Sequence, residues 1–526
     1  MIIEILIFIV TFVVAYYLYV YKRNHWFFEK RGIKYVPGVP IFGNVYDTML
    51  LKKHMIDSID DVYKAFPDEK YVGFIDAIDP IIMIRDPEII KNITVKDFDH
   101  FVNHKVFFQE EAEPLFGGSL IQMKGEKWRD MRTTLSPAFT ASKMRLMIPF
   151  MFEACKNIID DLKERVKTDD ETDVEDLMRR YTNDVIASAG FGLQVNSVKE
   201  RDNEFFIMGR DIFVFNTFQK IIFFFSTQIP WLFKALNIKV FPQKTMNFFR
   251  NLVRTTIESR NTNKVYRPDM IQLLMEASKG KLTSTDADDG ESVGFATTQE
   301  ALKPRGVARE WTEDELIGQV FIFFVAGFES SAGALTLSIH ELALNPEVEE
   351  KLYQECRQFK ETENTLTFEN VGQLKYLDCV INETMRKWAV ALIMDRTCTK
   401  PYELPPPREG GKPVLLRPGD VVYNMVNCIH MDKQYFPNPE VFDPDRFSDE
   451  NKHNIKPFTF MPFGMGPRNC IASRFALLEL KVLLYNLIVN FKIKKCKKTL
   501  DPIVLNPGDF NIKVHGGTFV KLELRA

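Results

Sequence analysis

The run Pro462-Phe463-Gly464-Met465-Gly466-Pro467-Arg468-Asn469-Cys470-Ile471-Ala472 places one cysteine at the end of a loop constrained by two glycines and two prolines. An apolar segment, Ile471 to Phe491, follows directly, and its pattern predicts a helix. A thiol at a helix start gains from the helix dipole and from loop N–H groups, which should lower its pKa and ready it for a metal. The other cysteines, Cys155, Cys356, Cys379, Cys398, Cys428 and Cys496, are scattered, with no C-x-x-C pair and no zinc-type spacing. They read as small buried apolar groups in a reducing compartment.

Working upstream, Thr312-Glu313-Asp314-Glu315 is a capping box, and the apolar pattern behind it continues to Asn345-Pro346, predicting a helix about 50 Å long. Near its middle stands Ala326-Gly327-Phe328-Glu329-Ser330-Ser331. A helix interior gains nothing from a glycine, which costs about 1 kcal/mol there, or from polar groups that need partners, so this stretch marks a site. Ala326 and Ser330, four apart, share one face. Glu383-Thr384-Met385-Arg386 and Pro444-Asp445-Arg446-Phe447 supply charges that are ordinary surface ion-pair material taken singly. Trp128 and Arg132 share a helix face by the same spacing argument.

Taken in this order, the motifs resemble those of the cytochrome P450 superfamily. Its F-x-x-G-x-R-x-C-x-G signature is matched by Phe463, Gly466, Arg468 and Cys470, with Ala472 standing where the last glycine is usual. Its E-x-x-R and P-x-R-F motifs correspond to Glu383, Arg386 and Arg446, which the resemblance makes a structural triad. Its W-x-x-x-R corresponds to Trp128 and Arg132, and its A/G-G-x-D/E-T-T/S to Ala326, Gly327, Glu329, Ser330 and Ser331, with serine at the usual threonine. In the strand after the E-x-x-R helix, Ile393 occupies a position where many members carry an arginine for a haem propionate.

The resemblance implies a mainly α fold with a minor β component, haem b lying between the long central helix and the Cys470 loop, and Cys470 as axial iron ligand. It implies cofactor contacts from Trp128, Arg132, Ala326, Gly327, Phe463 and Arg468, and catalytic proton transfer by Glu329 and Ser330. Electrons would come from NADPH through a reductase, with cytochrome b5 as a further donor, and the substrate would be a small hydrophobic compound. The Cys470 region looks like the insect microsomal branch associated with plant toxins and insecticides. Two other readings stay open: a haem-thiolate isomerase or dehydratase needing no external electrons, and a non-catalytic haem protein that sequesters hydrophobic ligands, suggested by Ser330 and Ala472. Substrate choice is expected in Phe107 to Phe116, Phe205 to Phe225, the residues before Glu329, Ala389 to Ile393 and the turn at Gly516-Gly517.

Ile2 to Tyr21 is apolar apart from Glu4 and Thr11, and twenty helical residues span about 30 Å, the thickness of a bilayer core. Lys22, Arg23, Lys30 and Arg31 follow it, which places the body on the cytoplasmic side, here of the endoplasmic reticulum. The expected organisation is an anchor at 1–21, a basic and proline-rich hinge at 22–44, and a catalytic domain at 45–526. A net charge of -3 provides no global basic field, which argues against a nucleic-acid function. Lys124, Lys127, Arg129 and Arg132 form a local basic group suited to an acidic reductase. Phe205, Phe206, Phe213, Phe215, Phe218, Phe223, Phe224, Phe225 and Trp231 concentrate aromatic side chains that suit an apolar chamber or a bilayer contact. From Ser278 to Arg309 the composition predicts a flexible surface connection.

Overall fold

Helix dominates the computed structural model, which describes residues 2–108, 110, 112–168, 171–214, 216–279, 293–298, 311–363, 365–509 and 511–525. The elements that place the site are α1 (Ile2–Arg31), α2 (Gly125–Leu135), α3 (Val174–Phe191), α4 (Glu204–Arg210), α5 (Thr217–Gln228), α6 (Glu313–Leu344), α7 (Lys375–Lys387) and α8 (Ser473–Asn490). The capping box forms as the sequence predicts: Thr312 Oγ1 accepts from the Glu315 N–H while the Glu315 carboxylate accepts from the Thr312 N–H, each at 3.1 Å. Helix α6 begins there and ends before Asn345-Pro346. It is apolar on nearly every side because α3, α7 and α8 surround it, and Phe321, Phe324, Phe328 and Leu335 are fully buried. A core helix of this kind passes the length and hydropathy test for a membrane span, but its burial gives it the other role.

A second, smaller core lies around a four-stranded sheet of β1 (Tyr71–Asp76), β2 (Asp79–Ile84), β3 (Ile393–Thr397) and β4 (Val421–Met425), in the order β1-β2-β4-β3. The β2-β4 pair is parallel, with Ile82 opposite Val422, and the outer pairs are antiparallel. Strands Phe491–Lys494, Phe519–Leu524 and Thr172–Asp173 form a second sheet at the end of α8.

Two segments differ from the sequence expectation. Helix α1 does not stop at Tyr21 but continues to Arg31, and its last third is bound to the sheet. Asn24 donates to the Ile78 carbonyl at 3.0 Å, Phe28 is fully buried and stacks on Tyr35, and Arg31 pairs with Asp420 at 3.0 Å. Earlier turns leave Phe8, Phe12 and Tyr19 exposed. Within the connection expected to be flexible, Val293 and Ala296 are buried and residues 293–298 are docked on the body; most of the rest of that connection, like Phe215, lies outside the described residues.

Candidate active site

The Cys470 loop is held by its backbone. Gly464 and Gly466 adopt positive φ, +75° and +71°, and a Cβ on Gly466 would fall 1.8 Å from the Thr94 carbonyl oxygen, so no other residue fits there. These turns bring the Cys470 N–H to the Phe463 carbonyl at 2.8 Å. Helix α8 starts at Ser473, two residues later than its apolar pattern suggests, with Ala472 as its cap. Ala472 has φ -104°, an ordinary value for alanine, so the usual glycine is not required by the backbone. Burial pushes the Cys470 thiol up, while the Ala472 N–H and Arg132 pull it down, in the direction expected of the loop.

Three arginines converge beside this loop. Arg132, on α2, donates to the Asn469 carbonyl and to Asn469 Oδ1, each at 2.8 Å. Arg468 donates to the carbonyls of Val102 at 2.9 Å and Met123 at 2.7 Å, and its guanidinium lies 4.0 Å from the Trp128 ring centroid. Trp128 is fully buried and so acts here as the platform for Arg468. Arg396, on β3, is the residue the sequence reading missed: it lies three positions beyond Ile393 and is 1% exposed. Burial pushes Arg396 down to about 10, against the pull of Asp395, and pushes Arg468 well down, with Arg396 adding to the effect. Arg396 Nε has no hydrogen-bond partner among the described residues. Asp395 is the carboxylate acting on both, and it is shared with His104 at 2.9 Å. A buried cationic group with so little anionic compensation suits a ligand bearing carboxylates. Arg396 is thus an arginine on the same strand as Ile393, buried and with one N–H unpartnered among the described residues.

On α6, the residues of the central motif face different ways. Ala326 is exposed although Phe324 and Phe328 beside it are fully buried, so it borders open space inside the helical layer. Ser330, on the same face, donates its hydroxyl to the Ala326 carbonyl. Gly327 faces elsewhere: a Cβ there would lie 2.7 Å from Ile186 Cδ1, so this glycine permits close packing of α3 rather than space beside Ala326. Glu329 turns toward α3 and is held by Arg179 at two points, with Lys513 4.0 Å away. Arg179, distant in sequence, was invisible to motif reading. A further buried acid, Glu479 on α8, is pushed up to about 8 by burial, opposed by the nearby Ser331 hydroxyl.

The triad residues come together. Arg386 donates to both Glu383 oxygens at 2.7 Å and to the carbonyls of His430 and Pro439, while Arg446 Nε lies 3.4 Å from Glu383 Oε1. Glu383 and Arg386 are fully buried, which ties the chain from His430 to Arg446 onto α7. Within the basic group, Lys127 pairs with Glu110 and Glu315, Arg129 pairs with Asp99 and Glu126, Arg132 points inward, and Lys124, at the start of α2, is exposed.

A thiol on a rigid loop, a convergent arginine group and a small residue bordering open space on the central helix fit haem. The cytochrome P450 family model matches residues 34–515. The chain belongs to the cytochrome P450 family. It is 41% identical to cytochrome P450 9e2 of Blattella germanica, covering 98% of this chain and 97% of the relative. It is 40% identical to probable cytochrome P450 9f2 of Drosophila melanogaster, covering 96% of each, and 34% identical to cytochrome P450 6k1 of Blattella germanica, covering 98% and 97%. This P450 therefore falls in an insect branch of a haem-binding, reductase-supplied monooxygenase family.

Proposed function

We propose that this P450 is anchored in the endoplasmic reticulum membrane by α1, with its body on the cytoplasmic side, and oxidises small hydrophobic compounds, plant toxins and insecticides among them. NADPH supplies the electrons through its reductase, with cytochrome b5 as a second donor. The observation that carries the reading is the Cys470 loop, whose thiol lies in the field of Arg132, with Arg468 near both Arg132 and Arg396. Haem, when bound, supplies the activation of dioxygen and the transfer of one oxygen atom to the substrate.

The protein's residues hold, orient and exclude. Cys470 would hold the iron and Arg132, Arg396 and Arg468 would hold the propionates, while Phe463 and Trp128 keep the loop and Arg468 in place. Ala326 would leave room on the haem-facing side of α6, and Ser330 presents a hydroxyl that donates to the Ala326 carbonyl. Glu329 passes protons inward from the side of Arg179 and Lys513. Glu383, Arg386 and Arg446 keep the surrounding chain rigid. Phe213 stacks on Phe328, and Phe108 meets both Phe116 and Phe223, which supports an apolar chamber from which water is excluded. Phe218, Phe225 and Trp231 point outward, as a bilayer contact requires.

The test is the reduced carbon monoxide difference spectrum of the purified chain beside Cys470→Ala. A strongly red-shifted Soret band in the wild type alone establishes thiolate ligation, and oxidation of apolar substrates should then require both NADPH and reductase. Product without NADPH would favour the isomerase reading. A normal band without turnover of any substrate would favour sequestration.

A further inference from the structure

The long connection before α6 contains a short piece, residues 293–298, that returns to the Cys470 loop. Its docking combines backbone hydrogen bonds, ring contacts and a hydroxyl pair. The Val293 carbonyl accepts from the buried Lys481 ammonium at 2.5 Å, and the Phe295 N–H donates to Asp378 Oδ2 at 2.8 Å. Lys481 and Asp378 are themselves paired at 2.9 Å, so the strap binds both members of one ion pair. The Phe295 ring stacks on Phe460, with 5.9 Å between centroids. At the far end Thr298 donates its hydroxyl to the Cys470 carbonyl at 3.0 Å and its N–H to Ser473 Oγ at 3.2 Å. Because the Thr298 proton goes to that carbonyl, the 2.8 Å contact between the two hydroxyls has Ser473 as its donor. Gly294 sits so close to Asp378 that a Cβ would fall 2.1 Å from Oδ1.

Cys470 is thereby pinned at both backbone groups. Its N–H is satisfied by Phe463 within the loop, but its carbonyl is satisfied from 172 residues away. We propose that residues 293–298 form a strap that fixes the orientation of the ligand loop, with Thr298 as the positioning residue for Cys470. The inference rests on Cys470 being the iron ligand. Without the Thr298 hydroxyl the Cys470 carbonyl loses the side-chain donor that the strap gives it, and the peptide that carries the thiolate gains freedom to tilt.

The full-length protein tests this with Thr298→Val, which removes the hydroxyl and keeps the shape, Thr298→Ser, which keeps the hydroxyl, and Gly294→Ala, which displaces the strap. In Thr298→Val and Gly294→Ala, the share of the reduced carbon monoxide complex lacking the red-shifted band should rise about fivefold, the factor corresponding to one hydrogen bond of ordinary net worth. The iron midpoint potential should move with it, and hydrogen exchange of residues 463–473 should quicken, while Thr298→Ser matches the wild type. Unchanged spectrum and exchange in Thr298→Val, or Thr298→Ser behaving like valine, would overturn the proposal. Should Gly294→Ala not fold, Thr298→Val decides alone. Absence of the band in the wild type would instead count against Cys470 as ligand, and the exchange comparison on that same chain still decides whether Thr298 restrains the loop.

Discussion

Arg179 and Glu329 meet in a two-point pair across 150 residues of sequence, with Arg179 Nε 3.0 Å from one carboxylate oxygen and Nη2 2.6 Å from the other. Arg179 also contacts Glu175 at 2.8 Å, so it bridges the first turn of α3 to the centre of α6. Both members are mostly buried, and breaking one side strands the other. Arg179→Gln should lower stability by on the order of 2 kcal/mol, read as a fall in Tm. Glu329→Gln should slow turnover roughly a hundredfold, the usual worth of a positioned acid, with the carbon monoxide spectrum unchanged. Equal turnover in Glu329→Gln would remove it from proton delivery.

Ser330 presents the sparest version of a hydroxyl on the α6 face. Serine lacks the methyl that would fix its rotamer, and its proton already has an acceptor in the Ala326 carbonyl. Ser330→Ala should therefore raise the peroxide released per NADPH consumed and leave haem content alone. Unaltered coupling would show that another group, or ordered water, serves in its place.

Arg396 gives a prediction with opposite signs in two states. Its guanidinium is buried, and burial pushes its pKa down to about 10. Arg396→Met should weaken haem retention roughly tenfold, yet leave the haem-free chain as stable or more so, because an undercompensated buried cation is lost. A parallel loss in both states would mean that Arg396 serves only the protein.

The loop glycines should separate by severity. Gly466→Ala places a Cβ against the Thr94 carbonyl and asks alanine for positive φ, whereas at Gly464 the nearest atom is Met394 Sδ at 3.4 Å and only φ is unfavourable. Gly464→Ala should cost about 1–2 kcal/mol, measured by thermal melting, and Gly466→Ala markedly more.

Glu479 links stability to pH. Its carboxyl is pushed up to about 8 from an ordinary 4.5, so the folded state binds the proton more tightly than the unfolded state does. Between those values the folded state holds more protons, and stability falls as pH rises. Glu479→Gln should thus be more stable than the wild type near pH 8 and lose that advantage near pH 5, followed by denaturant titration at both pH values.

The sequence made the local devices legible and left the distant ones hidden. The capping box at Thr312, the glycine turns before Cys470 and the Glu383-Arg386 spacing each lie within one short window, where residue type and spacing dictate geometry. Arg446 was reachable because its own motif follows in order. Arg179, in contrast, joins Glu329 only through the packing of α3 on α6, and no pattern within α3 announces it. Arg396 is hard to place from sequence because an arginine inside a short strand reads as a solvent-facing charge until packing buries it. Residues 293–298 were hidden by the composition around them, since small and polar residues predict exposure until Lys481 and Asp378 are seen beneath. The paired fates of Lys127 and Arg129 likewise depend on acids from other segments.

Helix α1 passes without interruption from exposed apolar turns into a segment locked to the sheet by Asn24, Phe28 and Arg31. An unbroken helix transmits rotation, at about 100° per residue. Inserting a single residue between Tyr21 and Asn24 would swing Phe8 and Phe12 through that angle relative to the sheet, with no change of composition. The azimuth at which the exposed apolar turns of α1 face outward from the sheet is in that sense a matter of counting.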